Sequence, residues 1–110
     1  MAGNRQLYQE AMRQAAQLAW DNRWREAIEL LEAARSEFPD DPVPYARIGQ
    51  AHFELDELDQ ALRHYQQAAR LNPNDVVALG RIADVLERLG RLEEAARTAG
   101  RALELDPACD

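Results

Sequence analysis

Apolar and polar residues follow a helical period twice within residues 42–75. The first set of residues, at spacings of three, one and three, comprises Tyr45, Ile48, Gly49 and His52. The second set comprises Ala61, Tyr65 and Ala68. This spacing predicts two amphipathic helices, over about 42–54 and about 58–71. Proline at 42 and 44 suits the first turn of a helix, where a missing N–H costs nothing, and Pro73 ends the second helix.

The same pattern recurs 34 residues upstream and 34 residues downstream, so three units cover residues 8–41, 42–75 and 76–109 without an insertion. Small residues keep this register in three sets, which are Ala15, Gly49 and Ala83; Ala27, Ala61 and Ala95; and Ala34, Ala68 and Ala102. Small residues at fixed offsets let two helices approach closely. We therefore expect one array over residues 8–110, with residues 1–7 forming a tail and the start of the first helix.

The middle unit resembles the tetratricopeptide repeat (TPR), whose pattern is W-x2-L-G-x2-Y, then A-x3-F, then P. Its matching residues are Tyr45-x2-Ile48-Gly49-x2-His52, Ala61-x3-Tyr65 and Pro73. The third unit follows the pattern with Ile82, Ala83, Ala95 and Pro107, and the first with Ala15, Ala27 and Pro39. The resemblance implies an all-α protein, an α-solenoid that forms a right-handed superhelix of three helix–turn–helix units and six helices. It also implies a non-enzymatic protein–protein interaction module.

The two outer units predict local structure that the middle one does not. The first two helices should run over about 5–21 and about 23–37, with Asn4 as N-cap. Asn22, Asp56 and Gly90 stand between paired helices, where a left-handed backbone is expected. Gln14 and Asp21 replace aliphatic residues of the later units, which indicates a partial polar cap at the N-terminal end.

The third unit stays apolar to its end, and no polar helix follows it in the sequence. Its last helix carries small residues where the middle unit has Tyr65. We therefore expect a further repeat or another chain to pack there. The candidate self-association residues are Ala96, Ala99, Gly100 and Leu103.

The acidic composition limits the classes of partner. The net charge is −7, which argues against nucleic acid or an acidic membrane as the general partner. No apolar run approaches the roughly 18 residues of a membrane span, and the N-terminus lacks the pattern of a secretory signal. The single Cys109 cannot form an internal disulfide, which fits a reducing compartment. We expect a cytoplasmic protein whose partner is a protein or peptide.

We find no catalytic, metal-binding or cofactor-binding motif. There is no glycine-rich phosphate loop and no cysteine pair. His52 and His64 fall on opposite helices of one unit, whereas a metal site needs three or four convergent ligands. Trp24 is interpreted as core because it corresponds to Leu58. Trp20 has two interpretations: it packs on Trp24, which we favour, or it lies exposed at a groove edge as a binding anchor.

The TPR resemblance implies a concave groove lined by the first helix of each unit. The candidate partner-binding residues are Gln9, Met12 and Arg13 in the first unit, Val43, Arg47 and Gln50 in the second, and Val77, Arg81 and Asp84 in the third. Arg13, Arg47 and Arg81 recur every 34 residues, so they predict a ladder that binds carboxylates. Arg13 has Glu10 and Arg81 has Asp84 as possible helix partners, whereas Arg47 has no acid three or four residues away.

The resemblance also limits which carboxylates are expected. Some family members clamp a C-terminal carboxylate with Lys and Asn, but Met12 and Ala16 stand at those places of the first unit. The full clamp is therefore absent. Two alternatives to a groove-binding module remain: a structural unit that assembles with itself through the C-terminal helix, and the TPR segment of a larger enzyme or regulator.

Overall fold

The protein forms six α-helices and no strand within residues 3–107, which are the residues that the computed structural model describes. The helices are α1 (Arg5–Trp20), α2 (Trp24–Glu37), α3 (Pro42–Glu54), α4 (Leu58–Leu71), α5 (Val76–Arg88) and α6 (Leu92–Leu105). Each helix packs mainly on its neighbours in sequence, and the molecule measures 40 × 25 × 22 Å. The predicted all-α helical-repeat solenoid is confirmed.

Polar caps and left-handed turns set the helix boundaries. Asn4, Asp41 and Asp75 cap α1, α3 and α5, each accepting a hydrogen bond from a backbone N–H of the first turn. The backbone φ angle is +60° at Asn22, +61° at Asp56 and +80° at Gly90. The left-handed residue predicted between paired helices is thus confirmed in all three units.

The predicted ends of the first two helices were wrong by one residue. The first helix ends at Trp20 and not at 21, and the second begins at Trp24 and not at 23. The cause is the turn itself, because a left-handed Asn22 leaves Arg23 with a φ of −96° and a ψ of 67°, outside the helical region. The predicted ends of α3 and α4 agree with the structure.

The small residues form the seam along which helices meet. Ala27, Ala34, Ala61 and Ala68 are at most 2% exposed. A Cβ atom added to Gly49 would lie 3.0 Å from two ring carbons of Tyr65, so the absence of a side chain there is what allows the ring to pack. Tyr65 belongs to a cluster with Ala61, Leu62, Ile82, Val85, Leu86 and Ala95 that joins the second and third units.

Two histidines pack across the second unit. The His52 and His64 rings are nearly parallel, with centroids 5.1 Å apart. His52 Nδ1 donates to a Glu57 carboxylate oxygen at 2.9 Å, and His64 Nδ1 donates to the Gln60 carbonyl at 2.8 Å. Each ring is therefore held by an acceptor on the N-terminal side of α4.

Lowering the pH should reduce the stability of the fold, because the buried His64 becomes protonated. Burial is the main cause that lowers the pKa of His64 below its ordinary 6.5, and nearby His52 and Arg35 add to this, while the Gln60 carbonyl and Glu32 oppose it. The unfolded chain thus binds a proton more readily, so stability is complete above about pH 6.5 and falls as the pH drops toward the folded-state pKa.

Urea unfolding at about pH 7.5 and about pH 5.5 measures this loss. The His64→Gln variant, which cannot titrate, should lose less stability between these two conditions than the wild type. An equal loss in both proteins would contradict the assignment to His64.

The two ends of the array differ in polarity. Gln14 on α1 and Asp21 directly after it are exposed, as the predicted N-terminal cap requires. On the last unit, Leu92 is 63% exposed and Leu103 is 49% exposed. None of the described helices is both long enough and apolar enough to cross a bilayer. Cys109 lies outside the described residues.

Candidate interaction groove

The helices α3 and α5 border a cleft of about 340 Å³. Its lining comprises Pro42, Val43, Ala46, Arg47, Gln50, Tyr65, Asn72, Asp75, Val77, Ala78 and Arg81. Five of the nine residues predicted for the groove thus lie around one cleft. The cleft carries aliphatic side chains from both helices and one arginine from each.

Two smaller clefts share lining residues with it. The first, formed by α1, α2 and α3, has a volume of about 20 Å³, and its lining comprises Ala15, Ala16, Ala19, Trp24, Ala27, Leu31, Arg47, Gln50 and Ala51. The second has a volume of about 50 Å³, and its lining comprises Gln50, Phe53, Glu54, Tyr65, Arg81 and Asp84. Arg47 and Arg81 each border two successive clefts, and we name this row of three clefts the groove.

Three of the nine candidates contribute less. Gln9 and Arg13 are exposed on α1 but line none of the three clefts. Met12 is half-buried and packs against the cluster of Ala15, Ala27, Leu31 and Ile48 that joins the first and second units. The first unit therefore contributes a smaller wall to the groove than the two later units.

The three ladder arginines differ in their contacts. Arg13 donates a hydrogen bond to Glu10, and this contact, after that of Gln14, lowers the pKa of Glu10. Arg47 and Arg81 are exposed, and within residues 3–107 neither makes a hydrogen bond or an ion pair. Arg47 has no acid within one helical turn, and Arg81 does not bond to Asp84. Two of the three guanidinium groups are therefore available to a ligand.

The acids nearest the groove are unevenly distributed. Asp75 lines the large cleft, but its carboxylate accepts hydrogen bonds from the backbone N–H groups of Val77 and Ala78. Glu54 and Asp84 share the 50 Å³ cleft with Arg81. No acid lines the 20 Å³ cleft beside Arg47. More of the acids that line the three clefts therefore lie beside Arg81 than beside Arg47.

Two tyrosines of the array have raised pKa values. Burial raises the pKa of Tyr65 to about 12. The pKa of Tyr8 is also raised to about 12, first by burial and then by its hydroxyl hydrogen bond to Asp41 at 2.6 Å. Both hydroxyl groups stay protonated at neutral pH, so neither tyrosine adds negative charge to the groove.

The favoured interpretation of Trp20 was wrong. Its side chain is 85% exposed, and it makes no ring contact with any residue from 3 to 107. Trp24 is half-buried and lines the 20 Å³ cleft, so it is only partly core. The signal that could have corrected this was the register, because the counterparts of Trp20 in the later units are Glu54 and Arg88. A position that is polar in two units faces solvent.

A metal site is also absent from the described part of the chain, since no three histidine, cysteine, aspartate or glutamate side chains converge there. In each of the two stacked histidines, Nδ1 already donates a hydrogen bond, so the pair offers a metal only its two Nε2 atoms. The groove within residues 3–107 is formed by aliphatic, polar and arginine side chains of several helices.

Sequence profiles of the tetratricopeptide repeat match residues 46–108 and, separately, residues 18–63. The chain belongs to the TPR family. It is 37% identical over 59 residues to Hsp70-Hsp90 organizing protein 3 of Arabidopsis thaliana, and this match covers 54% of this chain and 11% of that protein. It is 30% identical over 79 residues to the peroxisomal targeting signal receptor of Saccharomyces cerevisiae, and this match covers 72% of this chain and 13% of that protein. The TPR chain thus spans a small part of each relative.

Solved structures share the TPR fold. The first TPR domain of Spaghetti (RPAP3), bound to the Hsp90 peptide SRMEEVD, has a TM-score of 0.91 at 24% identity and covers 98% of this chain and 86% of that chain. MamA from Desulfovibrio magneticus RS-1 has a TM-score of 0.87 at 22% identity and covers 94% of this chain and 58% of that chain. At these identities the likeness concerns the fold alone.

Proposed function

We propose that this TPR array is a non-enzymatic protein-interaction module that binds a carboxylate-bearing segment of a partner in the groove of α1, α3 and α5. The observation that carries the proposal is Arg47, which is exposed at the junction of two clefts and makes no ion pair with residues 3–107. Arg81 repeats this arrangement one unit later. The array is otherwise acidic, with a net charge of −7.

The physical advantage of this arrangement is specific to arginine. A guanidinium group binds a carboxylate through charge-assisted hydrogen bonds that are often bidentate. Because neither arginine has to leave a described partner first, binding does not break an existing ion pair. Val43 and Val77, which are 43% and 65% exposed, supply apolar surface for the neighbouring side chains of the ligand. Arg13 should contribute less, since Glu10 already occupies it.

Structural relatives support the class of ligand. The TPR domain of Spaghetti binds the peptide SRMEEVD, which carries three acidic residues, and a TPR domain of yeast Sti1 was solved as a complex named for Hsp90. Met12 and Ala16 replace the clamp residues that the family resemblance would require for a C-terminal carboxylate. We therefore propose acidic side chains within a segment as the ligand.

An array of short peptides that differ in charge tests the proposal. The labelled protein should retain peptides that carry Asp or Glu over neutral and basic peptides of the same length. Added salt should reduce this retention because it screens exposed charges. Equal retention of acidic and basic peptides would contradict carboxylate recognition.

Self-association through α6 is a second candidate function. The α6 residues Leu92, Ala96, Ala99 and Leu103 are exposed, and Gly100 is half-buried. The counterparts of Leu92, Ala96, Ala99 and Leu103 in α4 are Leu58, Leu62, Tyr65 and Ala69, and these pack in the cluster that joins the second and third units, whereas Gln66, the counterpart of Gly100, is exposed. The surface of α6 thus repeats a helix-docking position, which either a second copy of the chain or a further repeat would fill.

A polar capping helix added after Asp110 should raise the melting temperature and favour the monomer, because it covers Leu92 and Leu103. Light scattering across a range of protein concentrations, with and without the added helix, measures the effect. A chain that stays monomeric at every concentration and does not respond to the cap would exclude this second function.

A further inference from the structure

We infer that Trp20 is a recognition residue of the same groove, and that the bound segment carries a large apolar or aromatic side chain beside the carboxylate that Arg47 binds. This inference rests on the proposed function and specifies its ligand. It begins from Trp20 itself, which at 85% is the most exposed large hydrophobic side chain within residues 3–107.

The register of the repeat relates Trp20 to a residue that lines the groove. Its counterpart in the second unit, Glu54, lines the 50 Å³ cleft together with Arg81. The corresponding positions one unit earlier are Trp20 and Arg47; of these two residues, Arg47 lines the 20 Å³ cleft and Trp20 lies outside its lining. Helical spacing agrees, since Gln9, Arg13, Ala16 and Trp20 follow at intervals of four, three and four residues and so share one face of α1.

We call the surroundings of Arg47 the first step of the groove and those of Arg81 the second step. The two steps differ in chemistry. At the second step, Arg81 shares its cleft with Glu54 and Asp84, so the site already holds negative charge. At the first step, the positions of these two acids are taken by Trp20 and Gln50, and Arg47 is the charged residue of the 20 Å³ cleft. The first step therefore combines an arginine with apolar surface, which fits a ligand that is both acidic and apolar.

The size of the first step decides how the ligand binds. Its lining includes Ala16, Ala19 and Leu31, and a volume of about 20 Å³ holds roughly one water molecule. No side chain can insert into it. An aromatic ring of the ligand would instead lie against the exposed indole of Trp20, because aromatic rings attract each other in offset-stacked and edge-to-face arrangements.

A ligand in an extended conformation would present its acidic and apolar side chains on one side. Trp20 ends α1 and Arg47 lies near the middle of α3, and both residues are exposed. In an extended segment, residues two positions apart point to the same side and lie about 7 Å apart. We therefore expect the ligand to carry an acidic residue and an apolar residue two positions apart. The direction in which the segment binds determines which of the two comes first.

Four synthetic peptides of glycine and serine test the inference with the full chain. One carries Glu and Phe two positions apart, one carries Glu alone, one carries Phe alone, and one carries neither. The wild type should bind the Glu–Phe peptide at least fivefold more tightly than the Glu peptide. Trp20→Ala should reduce this advantage to less than twofold, while Trp20→Phe retains part of it.

The matched control is Leu7→Ala, because Leu7 is also an exposed apolar residue of α1, at 57%, but lies on another face. It should keep the full Glu–Phe advantage. If Glu improves binding but Phe adds nothing, or if Trp20→Ala keeps the advantage, the inference about Trp20 is overturned and the proposed function stands. If Glu itself does not improve binding, both are overturned.

Discussion

Replacing Ala61 with leucine is expected to lower the free energy of unfolding by about 1–3 kcal/mol, because extra methylene groups overfill a well-packed seam. Ala61 is fully buried and belongs to the cluster of Tyr65 and Leu62 that joins the second and third units. Each unit of a solenoid is stabilised mainly by its neighbours, so the loss should appear in a single transition of the whole array. Urea unfolding followed by circular dichroism measures it.

The matched control is Ala33→Leu, which makes the same change at an exposed position of α2. Surface substitutions of this kind usually change stability by less than about 0.5 kcal/mol. If Ala61→Leu unfolded at the same urea concentration as the wild type, the proposed seam of small residues would not be what holds the helices together.

Arg47→Ala should weaken binding of an acidic segment at least tenfold and leave helicity and melting temperature unchanged. The stability should not change because Arg47 is exposed and makes no hydrogen bond or ion pair with residues 3–107. The loss of a central charge-assisted contact typically costs ~2 kcal/mol or more. Arg47→Lys should recover part of the affinity, because an ammonium group keeps the charge but cannot form a bidentate fork. Isothermal titration calorimetry measures the affinity of the wild type, of these two variants and of the control variant Arg63→Ala.

Arg63→Ala provides that control. Arg63 is an exposed arginine of α4 that lines none of the three clefts, so its removal changes the net charge equally without touching the groove. Its affinity should stay within twofold of the wild type. Arg81→Ala should have a smaller effect than Arg47→Ala, because Glu54 and Asp84 share its cleft. An Arg47→Ala, Arg81→Ala double variant that binds like the wild type would mean that recognition lies on another face.

The fold followed from the sequence because the packing rules are local and repeated. The periods at Tyr45, Ile48 and Gly49 and the small residues in register predicted six helices and their seam. Only the ends around Asn22 differed, by one residue each. A left-handed residue ends one helix and delays the next, and sequence spacing alone does not say by how much.

The groove was less completely predictable. The sequence placed Arg47 and Arg81 on one face, and both line the same cleft. It could not say that Arg81 stays apart from Asp84 while Arg13 bonds to Glu10, because those contacts depend on side-chain rotamers. Trp20 is exposed although it is hydrophobic, because its position in the repeat is one that the later units fill with Glu54 and Arg88. The helix face on which a residue lies decided its exposure, whatever its affinity for a core.

The most direct test of the groove is a nuclear magnetic resonance titration of the isotope-labelled protein with an acidic peptide retained by the array. We expect the largest shifts of backbone amide signals at Val43, Arg47, Gln50 and Val77, with small shifts on the exposed faces of α2 and α4. Shifts concentrated on α6, with the amides around Arg47 unchanged, would contradict carboxylate binding in the groove.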